Sequence, residues 1–155
     1  MVGQGNFGLV GVAIFAVMII GILDSGRFFW TETPSMYIYI IGYLIYSISV
    51  VFLIWPMYVN KFFSSMVRIQ KDRNQTVCQE GPYKIVRHPG YSAVIIMSPS
   101  IALTFGSFVA LIPGFISIIL IIIRTYLEDI TLQKELKGYK EYTKKVKYRL
   151  IPGVW

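Results

Sequence analysis

Two short stretches of this chain carry the side chains that could do chemistry. The first, Gly81-Pro82-Tyr83-Lys84-Ile85-Val86-Arg87-His88-Pro89-Gly90-Tyr91, is a polar island holding the only histidine. Gly81-Pro82 predicts a turn, and Pro89 makes His88 a boundary residue, because proline disfavours helical backbone in the residue before it. A long apolar run begins at Ser92, so Pro89 falls in the first turn of a helix, where its missing N–H costs least. Arg87, His88 and Tyr91 then gather at a helix N-terminus, whose free N–H groups and partial positive charge suit an anionic ligand group. The second stretch, Arg124-Thr125-Tyr126-Leu127-Glu128-Asp129, sets Arg124 and Glu128 four residues apart, on one helix face. Cys78 is the single cysteine, and no basic partner at fixed spacing marks it as a nucleophile. One cysteine and one histidine exclude a disulfide within the chain and argue against a Cys/His zinc site.

The elements that must position these groups belong to a membrane. The 155 residues predict one domain, and 55% of them are hydrophobic, with a mean hydropathy of +0.59, far from the composition of a soluble domain. The net charge of +7 comes from basic residues that flank apolar spans. Lipid headgroups, and not nucleic acid, are therefore the expected anionic partner. Phe7 to Leu23 is long enough for one spanning helix. No Lys or Arg precedes it and no small-residue cleavage pattern follows, which argues against a signal peptide. Phe28-Phe29-Trp30 suits an interface, and Met36 to Trp55 predicts a second span. Val59 to Phe63 and Met66 to Gln70 mix basic and apolar residues, as in a segment lying in the interface.

Ser92 to Ile123 carries no charge. As one helix it would run ~48 Å, well beyond a ~30 Å hydrocarbon core, so Gly106-Ser107 predicts the turn of a helical hairpin. Pro99 and Pro113 are expected to kink its arms. In the tail, Leu132, Leu136, Tyr139, Tyr142 and Val146 recur at helical spacing among lysines, which predicts an amphipathic helix. Outside the spans, residues 56–91 carry Lys61, Arg68, Lys71, Arg73, Lys84 and Arg87, the tail carries eight basic residues, and residues 24–35 carry only Arg27. The positive-inside rule then places 56–91 and 124–155 in the cytoplasm, with two crossings between them. The expected fold is an all-α integral membrane domain over 1–155. Its four transmembrane helices fall near 7–23, 36–55, 92–106 and 108–123, followed by a cytoplasmic amphipathic C-terminal helix. The hairpin returns Arg124 and Glu128 to the side of Arg87, His88 and Tyr91.

The Arg87-His88-Pro89-Gly90-Tyr91 stretch, a hairpin, Arg124 with Glu128-Asp129, and a Tyr-rich basic tail together resemble the isoprenylcysteine carboxyl methyltransferase family. That family belongs to a wider group of integral-membrane methyltransferases that includes phospholipid methyltransferases. The resemblance covers roughly residues 57 to 155, and Tyr148-Arg149-Leu150-Ile151-Pro152-Gly153-Val154-Trp155 looks like the ending of bacterial members. It implies methyl transfer from S-adenosylmethionine to a lipophilic acceptor at the cytoplasmic face of a bacterial or archaeal cell membrane, with S-adenosylhomocysteine as product. By match to the motif, His88, Tyr91, Tyr83 and Glu128 would hold the cofactor, while Arg87 and Arg124, with Glu128, would serve the reacting side. Two arginines near the site favour an anionic, carboxylate acceptor, which needs no general base. An amine acceptor, as in a phospholipid N-methyltransferase, would have to give a proton to Glu128 or His88. A non-catalytic membrane assembly subunit on the same scaffold is the alternative outside enzymes. Asp129 stands where the family often has a second Glu, and Ala93 where it often has Gly, which weakens any role for position 129. The chain is also short for the family, which implies a reduced substrate portal or one shared with another subunit, and a homo-oligomer is among the expected partners.

Overall fold

The computed structural model describes residues 5–64 and 71–155, and among them it is helical with no strand. Five α-helices follow in order: α1 (Gly5–Leu23), α2 (Met36–Val59), α3 (Pro89–Thr104), α4 (Leu111–Glu135) and α5 (Tyr139–Lys145). A π-helical turn, Asp24–Phe28, extends α1, and a 3-10 turn, Gly81–Lys84, precedes α3. Three segments, Gly8–Phe28, Met36–Val59 and Leu111–Glu135, are long and apolar enough to cross a membrane. The 16 residues of α3 amount to ~24 Å at 1.5 Å per residue, short of a ~30 Å core. The interfacial reading of Met66 to Gln70 lies outside the described residues.

The packing follows membrane logic. Large apolar side chains such as Val12, Phe15, Leu44, Val51 and Ile119 are exposed, while small and polar residues fill the contacts between helices. Lipid is as apolar as a leucine side chain, so close backbone approach and hydrogen bonds hold such helices together. Gly42 of α2 lets the backbone of Leu103 on α3 come so near that an added Cβ would lie 2.7 Å from its carbonyl carbon. Between α3 and α4, Ser117 donates to Ser98 across 2.6 Å. The hairpin turn falls where Gly106 predicts it. That glycine has a φ of +65°, and a side chain there would run into Tyr39.

The hairpin arms differ from the sequence expectation in two ways. Pro113 is the third residue of α4. In that first turn its ring costs no intrahelical hydrogen bond, so its position gives no cause for a kink; Pro99 does lie inside α3. α4 also runs on to Glu135, twelve residues past the apolar run, because nothing between Ile123 and Glu135 breaks a helix. Arg124, Glu128 and Asp129 are therefore helical residues and not the start of a tail. The tail is not one amphipathic helix either. Leu136 is extended and Gly138 takes a φ of +85°, so the stripe is split between the end of α4, the seven-residue α5 and the loop after it. Its members Leu136, Tyr139, Tyr142 and Val146 form a buried cluster with Val77 and Leu132.

At the far end of the hairpin a buried acid ties three elements together. Asp24 accepts from Thr31 N at 2.8 Å, Thr31 Oγ1 at 2.6 Å and Ser107 Oγ at 2.5 Å. It thereby fastens the end of α1 to the loop after it and to the hairpin turn.

Candidate functional site

Three elements converge at the start of α3. The 3-10 turn supplies Tyr83, the loop residues Arg87 and His88 lead into α3, whose first turn holds Tyr91, and the C-terminal half of α4 supplies Arg124, Glu128 and Asp129. His88 is the residue before α3, as Pro89 predicts. Its ring lies nearly parallel to that of Tyr91, with centroids 5.8 Å apart and 12° between the planes.

Tyr91 links two charged residues of α4. Arg124 Nε donates to the Tyr91 hydroxyl at 2.6 Å, and that hydroxyl donates to Glu128 Oε2 at 2.6 Å. The Arg124 guanidinium also stands over the Tyr91 ring, 5.2 Å from its centroid. Arg124 and Glu128 thus share a helix face, as their spacing predicts, but meet through a phenol. Glu128 is half-buried on the wall of a cleft, whose lining also includes Tyr83, Arg87, His88 and Tyr91. Arg124 is 4% exposed and does not line that cleft. Its reach toward a ligand is through Tyr91.

Asp129 is the residue that sequence reasoning set aside, and it is the hub of the site. It is fully buried. Its Oδ1 faces Arg87 Nη1 at 3.2 Å and the His88 ring nitrogen at 3.4 Å, and accepts from Tyr139 Oη at 3.0 Å. Its Oδ2 accepts from Arg149 Nε at 3.0 Å and Gln133 Nε2 at 2.9 Å. A buried carboxylate persists only when paired and hydrogen-bonded, and here both conditions are met. The sequence held one sign of it: an acid beside Glu128, so that the two neighbours point about 100° apart around the helix.

Arg87, 7% exposed, is turned toward Asp129 and the Lys147 carbonyl. Its Nε is buried without a hydrogen-bond partner among the described residues. An unmet buried donor costs about 1–3 kcal/mol, and Arg87 itself is part of the cleft lining. Tyr83 receives a bond from Asn60 Nδ2 at 3.2 Å on its hydroxyl and from the Tyr142 hydroxyl at 2.7 Å on its carbonyl. Burial pushes the Tyr83 phenol up to about 12, and burial likewise raises Tyr139 and Tyr142. These phenols are neutral hydrogen-bonding groups at neutral pH. Cys78 lines the same cleft, and burial pushes its thiol up as well, the opposite of what an activated nucleophile requires.

Across the 85–92 segment from the cleft lies a second cavity. It is lined by Phe52, Trp55, Ile85, Ile95, Leu150 and Pro152, among others, and is almost wholly apolar.

The phospholipid methyltransferase family model matches residues 37–138. The match takes in α2, the turn before α3, the hairpin and α4, well over half of the chain. The chain belongs to the phospholipid methyltransferase family. No curated protein sequence matches it significantly. With its apolar helices, it is a membrane-embedded methyltransferase by family.

Proposed function

We propose that this member of the phospholipid methyltransferase family uses S-adenosylmethionine to methylate the amine of a lipid headgroup at the cytoplasmic membrane face. The observation that carries the reading is Glu128. It is the carboxylate on the cleft wall, and among the described residues no Lys or Arg pairs with it directly. The arginines expected to favour an anionic acceptor are engaged elsewhere: Arg87 with Asp129, and Arg124 with the Tyr91 hydroxyl. A half-buried carboxylate among the aromatic residues Tyr83 and Tyr91 suits a cationic ligand.

The residues present fit the cofactor. Glu128 suits its ammonium group, which S-adenosylhomocysteine shares, the aromatic residues suit its positive sulfur, and the Arg87 guanidinium suits its carboxylate. When bound, the cofactor supplies a methyl group activated on a cationic sulfur. The chain's own part is alignment and proton removal. Tyr91, fixed by Arg124 behind it, holds one oxygen of Glu128 in place. Glu128 can then accept the proton that an ammonium must lose before its nitrogen lone pair attacks. His88 is held against Tyr91 on one side and by Asp129 on the other. The neighbouring apolar cavity supports an acceptor with a lipid chain. The basic loops support a cytoplasmic site, and α3, packed along α2, is read as the fourth crossing in a single domain. The isoprenylcysteine-type carboxylate acceptor remains as a second reading on one observation, the buried Nε of Arg87 beside the cleft.

The test is calorimetric titration of purified protein with S-adenosylhomocysteine, beside Glu128→Gln and His88→Ala. Methyl transfer into vesicles of phosphatidylethanolamine is then compared with transfer to a prenylated cysteine. Saturable binding weakened in both variants, with methylation of the amine lipid, is the expected outcome. Binding with transfer only to the prenylcysteine would select the carboxylate reading. Absence of binding in folded wild-type protein would overturn the enzyme reading.

A further inference from the structure

The segment after α5 runs along the site as a strap. Carbonyls of four successive residues accept hydrogen bonds from the stretch that enters α3. Lys147 O receives Arg87 Nη2 at 3.4 Å, and Tyr148 O receives Arg87 N at 3.0 Å. Arg149 O receives His88 N at 2.9 Å, and Leu150 O receives Ser92 Oγ at 2.7 Å. The strap is pinned at Arg149. Its Nε bonds Asp129 Oδ2 at 3.0 Å, and its guanidinium lies 5.9 Å from the Tyr126 ring centroid and 5.0 Å from that of Trp155. The Trp155 carbonyl in turn accepts from the backbone N–H of Arg149, Leu150 and Ile151. The strap itself, residues 147–155, lies beyond the span that the family match covers.

We propose that Arg149 is a positioning residue of the cleft. It acts through Asp129, holding one carboxylate oxygen so that the other stays directed at Arg87 and His88. The division of bonds on Asp129 carries the argument. Oδ2 is occupied by Arg149 and Gln133, and Oδ1 faces the two residues of the cleft wall and Tyr139. Without Arg149, a carboxylate can rotate or share Arg87 between both oxygens, and the aim of Arg87 and His88 is lost. Two arginines around one acid also keep the buried charge from going uncompensated when Arg87 turns toward a ligand. A lysine cannot reproduce this, because it lacks both the planar fork and the stacking on Tyr126 and Trp155.

The inference rests on the proposed function only for its binding arm, so the test has two readouts. His88 is the sole histidine, and selective ¹⁵N labelling of imidazole gives a signal that reports the hub with no ligand present. Arg149→Gln and Arg149→Lys are compared with Lys145→Gln, which removes a positive charge from an exposed residue of α5. The expected result is a displaced or broadened imidazole signal and at least tenfold weaker S-adenosylhomocysteine binding in Arg149→Gln. Arg149→Lys should fall between it and wild type, and Lys145→Gln should match wild type. A lowered melting temperature with imidazole signal and affinity unchanged would overturn the proposal and leave the strap a purely structural part. If the imidazole signal moves while wild type binds no S-adenosylhomocysteine, the positioning role stands and the cofactor assignment falls. Should Arg149→Gln not fold, the same two readouts on Arg149→Lys decide.

Discussion

The neighbours Glu128 and Asp129 should respond to the same chemical change in opposite ways. Asp129→Asn keeps the size of the side chain and removes its charge, leaving buried Arg87 and half-buried Arg149 without their shared anion. Removing one partner of a buried ion pair costs about 3–5 kcal/mol. Asparagine still offers an oxygen to Arg149 or Arg87, so the lower end, about 3 kcal/mol, is the better estimate. For a chain of this size each kcal/mol moves the melting temperature by about 2–4 °C, which gives a fall of roughly 6–12 °C. Glu128→Gln removes the charge from a half-buried residue whose described bond is the one from Tyr91. Glutamine keeps an oxygen for the Tyr91 hydroxyl, so the loss should be about 1 kcal/mol or less and the melting temperature should fall by no more than about 4 °C. Loss of a hydrogen bond to a charged group, worth about 1.5–3 kcal/mol, should weaken S-adenosylhomocysteine binding by roughly 10- to 100-fold. The assay is thermal denaturation in nanodiscs beside calorimetric titration of both variants. Equal melting temperatures for Asp129→Asn and wild type would refute the hub. A fall in Glu128→Gln as deep as that of Asp129→Asn would refute the assignment of Glu128 to ligand rather than to fold.

Three more outcomes are expected. Cys78 should react slowly with a neutral-pH alkylating agent, because burial raises its thiol, and S-adenosylhomocysteine should slow it further, since Cys78 lines the cleft; equal rates with and without ligand would place the ligand elsewhere. Tyr83, whose phenol is pushed up to about 12 by burial, holds its proton more tightly folded than unfolded, where it titrates near ~10. The stability this contributes, roughly 2–3 kcal/mol, is full below about pH 10 and is lost as pH rises toward 12, so Tyr83→Phe should flatten the alkaline limb of melting temperature against pH. Gly42→Ala wedges α2 from the backbone of Leu103 and should destabilise by about 1–3 kcal/mol, read as a lower melting temperature; a neutral result would mean that α2 and α3 are not in close backbone contact.

Much of the site was legible because its sequence signals are local. Pro89 fixes where α3 starts and therefore which way His88 and Tyr91 face. Gly106 fixes the turn that brings Glu128 back to them, and the four-residue spacing of Arg124 and Glu128 fixes their shared face. What was hidden depends on distant partners. Asp129 takes its meaning from Arg87 and His88, more than forty residues before it, and from Arg149, twenty after it. Tyr139 was read as one residue of an apolar stripe, yet its hydroxyl reaches Asp129. The stripe itself misled because Gly138, with its positive φ, interrupts a period that hydrophobicity alone carries through. The arginines show the same dependence on distant partners. Composition registers their charge, whereas the effect of Arg87 and Arg124 on a ligand depends on which acid or phenol has already engaged them.

The two adjacent acids also explain how a site can be built at the end of a membrane helix without a separate soluble domain. α4 is one continuous helix from its apolar stretch to Glu135, so its polar end continues the axis that its apolar part sets. Successive residues there diverge by about 100°. Glu128 therefore faces Tyr91 and the cleft, while Asp129 faces the interior and gathers the loop and the tail. On the function proposed above, one position supplies chemistry and the next supplies the attachment that keeps it in place. A buried acid that serves attachment must be surrounded by cations, whereas an acid that serves a cationic ligand must be kept from them. Among the described residues Asp129 has two arginines, and Glu128 has a tyrosine between itself and the third, an arrangement that fits both demands.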